Sequence, residues 1–298
     1  MQASPSVPVT SLRARAHELI PGGCHTYAKG DDQFPEQAPP FIVRGAGCRS
    51  WDVDGNEYIE YGMGLRSVTL GHAFTPVVEA VAQQLQYGVN FSRPSLLELE
   101  CAETLHSLVP CAEMVKFCKD GSHAVDGAIR LARAFTGRDM VAICGDHPFY
   151  STSDWFIGTS EMNAGIPEAT RRQIVKFRYN DLPGLEALFA EHPRQIACVV
   201  MEAARTEEPQ PGYLERLKTL VHASGALLVF DEMITGFRWH LRGAQHVYGV
   251  TPDLCSFGKG LANGFSVSAL AGRRDIMRLG GSDHDRDRVF LLSTTHGA

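Results

Sequence analysis

From Glu113 onward, short and largely apolar runs alternate with segments whose apolar residues recur at helical spacing. Residues 114–118, 140–144, 196–201, 226–230 and 267–271 read as strands, because brief, mostly apolar runs suit strands buried on both faces. Residues 124–135, 182–191 and 213–224 read as helices, the first and last followed by a terminating glycine. Buried strands separated by helices predict an α/β fold, a mostly parallel sheet with helices on both faces.

Upstream the pattern is different. Pro21-Gly22-Gly23 and Pro39-Pro40 punctuate a loop- and strand-rich N-terminal segment. Residues 51–59 read as a hairpin around the Asp54-Gly55 turn. Thr75-Pro76 reads as a helix start with Thr75 as N-cap, and a second helix is expected over 94–109.

Composition narrows the class. With 298 residues, 44% hydrophobic and 21% charged, the chain is globular rather than disordered, collagen-like or coiled-coil. A net charge of -6 gives no basic stripe for nucleic acid. The run 283–288 alternates in sign and reads as a solvated loop. Eight cysteines form no C-x-x-C pair and mostly sit in apolar segments, and no H-E-x-x-H string occurs, so no metal is expected. No apolar stretch suits secretion or a bilayer, so no membrane partner and a cytoplasmic location are expected.

In open α/β sheets, ligands bind outside the carboxyl ends of the strands. Three such ends carry candidate chemistry. Lys119-Asp120-Gly121-Ser122-His123 feeds a helix, whose free N–H groups and dipole could cradle a phosphate; Ser122 could equally be a plain helix cap. Asp231-Glu232 follows the run 226–230, where a carboxylate holds a cation or pairs structurally. A magnesium-nucleotide site would need G-x-x-x-x-G-K-[ST], and that string is missing. Lys259 lies between Gly258 and Gly260, either as a reachable amine that forms a Schiff base or as a solvated turn lysine. Together, a phosphate cradle, a carboxylate and a lysine suit pyridoxal 5'-phosphate.

Longer strings sharpen this picture. Ile20-Pro21-Gly22-Gly23, Trp51-Asp52-Val53-Asp54-Gly55, Leu70-Gly71-His72, AIRLARAFTGRD (128–139), GALLVFDEMITGFR (225–238) and GVTPDLCSFGKGLANGF (249–265) run through nearly the whole chain. On them the sequence resembles the class III, fold-type I pyridoxal-phosphate aminotransferases, in the branch similar to glutamate-1-semialdehyde aminomutase. The resemblance implies a first segment, 1–65, belonging to a small domain, and a cofactor-binding large domain over 66–298. It implies Lys259 as the Schiff-base lysine, Asp231 as partner of the pyridine nitrogen, and Gly121 and Ser122 as the phosphate turn. Met233 would pack on one ring face and Phe149 on the other. Thr294 resembles a threonine that reaches the phosphate from a neighbouring subunit, implying a homodimer with shared active sites. Arg66, in the run Gly62-Met63-Gly64-Leu65-Arg66-Ser67, lies where relatives contact substrate and could grip a carboxylate.

The implied activity is transamination between a small-molecule amino donor and a carbonyl acceptor. The alternatives are a glutamate-1-semialdehyde-type isomerase and a non-catalytic remnant of the fold. Two departures stand out. Asp120 and His123 replace a small polar and an acidic residue of the family turn, and a carboxylate aimed at the phosphate would repel it. The sequence ends at Gly297-Ala298, where relatives continue through a C-terminal domain, so that domain is expected to be absent.

Overall fold

The computed structural model describes residues 9–282 and 288–291. The chain forms two compact units that divide between Gln86 and Tyr87. In the first, α1 (Val9–Leu19) precedes an antiparallel sheet of β1 (Ile42–Ala46), β2 (Arg49–Asp52) and β3 (Glu57–Ile59), ordered β1-β2-β3. The expected hairpin forms. Trp51 pairs with Glu57, Gly55 takes φ +85°, and Asp52 Oδ1 accepts the Asp54 and Asn56 N–H groups at 2.9 and 2.8 Å.

Beyond it, α2 (Met63–Arg66) is a left-handed turn, with positive φ at Met63, Gly64, Leu65 and Arg66. Residues bearing a Cβ adopt that region at about 1–2 kcal/mol each. The N-cap of α3 (Thr75–Leu85) is Phe74, not the expected Thr75. Thr75 is already helical, because Pro76 is tolerated in the first turn, where its missing N–H would have no partner.

The second unit begins with α4 (Leu96–Leu108), started by a capping box in which the Ser95 N–H donates to Glu98 Oε1 at 3.0 Å. Seven strands follow: β4 (Met114–Cys118), β5 (Met140–Cys144), β6 (Ile174–Phe177), β7 (Ile196–Met201), β8 (Leu227–Asp231), β9 (Leu254–Phe257) and β10 (Ser268–Gly272). They form one sheet ordered β4-β10-β9-β8-β7-β5-β6, parallel from β6 through β9. β10 runs against both neighbours. Two reversals restore direction, so β4 and β9 open on the same edge. β6 and β9 were not among the expected strands.

The helices of this unit are α5 (Gly121–Thr136), α6 (Asp154–Ile157), α7 (Glu168–Arg171), α8 (Leu182–Glu191), α9 (Tyr213–Ala223), α10 (Ala244–Val247) and α11 (Arg274–Met277). Strand alternation divides the core in two. On one face Leu185 of α8 and Leu214 and Leu217 of α9 join Val199, Leu228 and Phe230. On the other, Val125, Ala128 and Ile129 of α5 join Val141, Val200 and Val229. Each fully buried side chain of this size contributes roughly 1.5–3 kcal/mol relative to exposure. That double burial is why these strands read as unbroken apolar runs. Among the described residues, no helix is long and apolar enough to cross a membrane.

Candidate active site

β8 and β9 are neighbours, with Asp231 beside Ser256. Phe257, Ala269 and Phe117 align across β9, β10 and β4. Gly258 and Lys259 therefore leave the sheet level with the turn that leads to Gly121.

Asp231 is only 3% exposed. Its Oδ1 accepts the Met233 N–H at 2.9 Å and the Ser256 hydroxyl at 3.1 Å. Burial pushes its carboxyl up from 3.8 to about 6, against the Met233 N–H, the Lys259 ammonium and the Ser256 hydroxyl, which all lower it. The Lys259 charge is thus felt at Asp231. The adjacent carboxylate is occupied elsewhere. Glu232, fully buried, accepts the Ala244 and Gln245 N–H groups and the Thr235 hydroxyl. It caps α10 and does not serve the edge.

Lys259 opens a 3-10 turn at φ +46°, a left-handed conformation that an L side chain adopts at a cost. Close packing fixes what surrounds it. A Cβ on Gly258 would lie 2.5 Å from Met233 Sδ, and one on Gly121 would lie 2.7 Å from the same sulfur. Met233 therefore sits against both glycines, and the structure brings Gly121, Met233, Asp231 and Lys259 together.

The start of α5 differs from expectation. Its N-cap is Asp120, whose Oδ1 accepts the His123 N–H at 3.0 Å while Oδ2 meets His123 Nδ1 at 2.6 Å. Ser122 is not the cap; its Oγ accepts the Thr152 N–H at 3.0 Å. Asp120 wins the position because a carboxylate accepts first-turn N–H groups better than a hydroxyl beyond the first residue can.

Phe149 is 53% exposed and stands edge-to-face on Phe156 at 5.5 Å between centroids. The next residue, Tyr150, is buried, and its hydroxyl donates to the Cys144 carbonyl at 3.3 Å. Burial pushes the Tyr150 hydroxyl well above its usual value, and the charges of Asp231 and Glu202 push it further. That places this loop within electrostatic reach of the strand-end acid. Arg66 belongs to the first unit, at φ +68° in α2. Thr294 lies outside the described residues.

Sequence reasoning missed Ser256, whose signal was a polar residue inside a buried strand. It also missed His147 and Glu202 at the ends of β5 and β7. There the Glu202 N–H donates to His147 Nδ1 at 3.1 Å. Burial, aided by the Arg205 charge, pushes His147 down to about 4, so the ring is neutral at pH 7 and carries its proton on Nε2.

These side chains fit pyridoxal phosphate chemically. A carboxylate raised by burial gains most from a cationic ring N–H. Lys259 supplies an amine at the same strand-end edge, while Met233 and Phe149 offer apolar surfaces. The first N–H groups of α5 offer donors to a phosphate.

The family model for class-III aminotransferases matches residues 32–286. The chain belongs to that family. Among curated relatives, it is 36% identical over 291 residues to the 3-aminobutyryl-CoA aminotransferase of Cloacimonas acidaminovorans, covering 95% of this chain and 68% of that one. It is 39% identical over 285 residues to the glutamate-1-semialdehyde 2,1-aminomutase of Roseiflexus castenholzii, covering 90% of this chain and 64% of that one. A solved structure of the PLP internal aldimine form of the Sphingopyxis sp. FumI protein superposes with a TM-score of 0.86 at 30% identity, covering 96% of this chain and 68% of that one. The chain thus spans about two-thirds of the length of these relatives.

Proposed function

We propose that this chain carries the cofactor site of a pyridoxal-phosphate-dependent aminotransferase that moves an amino group from an amino-acid donor to a carbonyl acceptor. One observation carries this reading: a buried Asp231 and Lys259 at the ends of adjacent parallel strands, close enough for the lysine charge to lower the acid. When bound, pyridoxal phosphate supplies an aldehyde for amines and a ring that draws charge from the adjoining carbon.

With that cofactor bound, Lys259 would hold its aldehyde and, once the donor's amine has taken its place, would serve as the base at the donor's α-carbon and the acid at the cofactor C4′ atom. One amine poised over both carbons combines proximity with acid–base catalysis. Asp231 would hold the proton on the cofactor's ring nitrogen. Gly121 and Ser122 would hold its phosphate, Met233 and Phe149 would cover its ring faces, and Arg66 would be the group to grip a substrate carboxylate in two-pronged fashion. A second copy of the chain would complete the site. Exposed apolar residues support such a homodimer: α3 buries no residue at all, and Leu96, Leu97 and Leu99 of α4 are exposed.

A second reading, isomerisation of an aminated aldehyde as in the aminomutases, is favoured by the 39% identity with the Roseiflexus castenholzii protein. The two differ in whether the intermediate departs before amination reverses. Titrating the purified chain with pyridoxal phosphate is expected to give a visible band that borohydride bleaches and that Lys259→Ala lacks. A folded wild type with no band overturns the cofactor site. Amino donors added singly, with product release measured, then separate transamination from isomerisation.

A further inference from the structure

A carboxylate outside the catalytic set ties the phosphate turn to the loop that carries Phe149. Asp126 lies in the second turn of α5, half-buried and turned away from the stripe of Val125, Ala128 and Ala132 that faces the sheet. Its Oδ1 accepts the Ser151 hydroxyl at 2.7 Å and the Trp155 indole N–H at 2.6 Å, and its Oδ2 accepts the Ser153 hydroxyl. Ser153 stands at the N-cap position of α6 yet makes no capping bond with its side chain. Its hydroxyl is spent on Asp126 instead.

Three donors within five residues pin this loop to α5, and two consequences follow from the pinned geometry. The Thr152 N–H meets Ser122 Oγ at 3.0 Å. A hydroxyl has one proton and two lone pairs, so occupying one lone pair from the loop side turns the Ser122 proton away from Thr152, toward an incoming anion. At the other end, Trp155 packs on Phe156 at 5.7 Å, and Phe156 presents its ring edge-to-face to Phe149 at 5.5 Å and Tyr150 at 5.6 Å. One acid thereby sets both a phosphate-facing hydroxyl and an exposed aromatic ring.

We infer that Asp126 is a positioning residue for the cofactor: it preorganises the Ser122 hydroxyl and the Phe149 ring together, so that phosphate grip and ring cover are coupled. This role rests on the proposed cofactor site. The Asp126→Asn side chain keeps one acceptor oxygen but turns the other into a donor, facing hydroxyl and indole groups that need acceptors. Affinity for pyridoxal phosphate is expected to weaken about tenfold, as hydrogen bonds to charged groups are worth. The visible-region circular dichroism of the bound cofactor should shrink as Phe149 loses its setting.

A cycle with Ser122→Ala separates positioning from mere folding, because coupled residues are non-additive. In that background the Asp126→Asn penalty on affinity is expected to shrink to the share that acts through Phe149. Trp155→Phe removes one donor while keeping an aromatic ring, and should move affinity and dichroism the same way by less. If Asp126→Asn does not fold, Trp155→Phe decides.

Wild-type affinity and dichroism in the variant that folds would sink the coupling, and so would a penalty that stays whole in the Ser122→Ala background. A wild type without any cofactor band sinks both this role and the proposed function. A normal wild-type band with an unaltered Asp126 variant sinks the coupling alone.

Discussion

Two carboxylates stand at the same edge of the large sheet, each with a cationic or titratable partner, and their surroundings could hardly differ more. Asp231 ends β8 almost without solvent contact, and burial is the largest influence on its proton. Asp120 precedes α5 with its side chain half exposed, paired to an equally exposed His123. Water and salt screen the second pair to about 0–1 kcal/mol, whereas the first carries a desolvation cost that only a well-placed cation can offset. The buried acid is therefore shaped for a ligand's charge. The exposed one serves its own helix.

The sharpest way to break this contrast is Asp231→Asn. On the proposed chemistry, the donor half-reaction should fall by about a thousandfold or more, since a preorganised charge at the reacting ring is lost; stopped-flow absorbance measures it. Stability should move the other way in the cofactor-free chain. The folded carboxyl holds its proton up to about pH 6, while the unfolded chain releases it near 3.8. Wild-type stability therefore falls as pH rises from 3.8 to about 6 and stays reduced above. Asparagine removes that loss, a gain of at most about 3 kcal/mol at pH 7.5. Urea midpoints of the two chains should separate at pH 7.5 and converge near pH 4. An equal gap at both values would mean that the carboxylate bears no burial cost.

The same acid predicts a pH dependence of intermediate size. Above about 6 it is ionised and can hold a cationic ring nitrogen; below, it is protonated and that hold is lost. Cofactor affinity should weaken as pH drops through this region, by about tenfold per unit once protonation dominates. The cofactor titrates too, so the informative quantity is the ratio of wild-type to Asp231→Asn affinities across the range. A flat ratio would detach Asp231 from the ring nitrogen.

What the sequence disclosed follows the same division between buried and exposed. The parallel core was legible because strands covered on both faces must be apolar without interruption, as in Ile196–Met201. β9 was not among the expected strands, and its one polar residue, Ser256, reaches Asp231. Lys259 and Asp231 were legible as strand-end residues, but their electrostatic contact needed the β8–β9 register. Whether Ser122 caps α5 stayed open because composition alone cannot tell which of two neighbouring polar residues turns inward; Asp120 takes the cap, and Thr152, distant in sequence, donates to Ser122 Oγ. Asp126 was passed over entirely, its three partners being supplied by a loop that begins beyond the next strand.

The finest test concerns Asp120. As N-cap it accepts the His123 N–H, removing one of the donors that a helix start would offer to a phosphate, and it adds negative charge beside the rest. Its second oxygen meets the His123 ring, so part of that charge is held locally. Asp120→Asn keeps an acceptor for the cap and deletes the charge. Cofactor affinity should therefore tighten by about two- to fivefold at low salt, the scale of a single charge near a helix terminus, and the gain should shrink as salt rises. Titrations at two ionic strengths measure both. A salt-independent change, or weaker binding, would mean that the cap acts through geometry and that Asp120 turns its charge away from the phosphate.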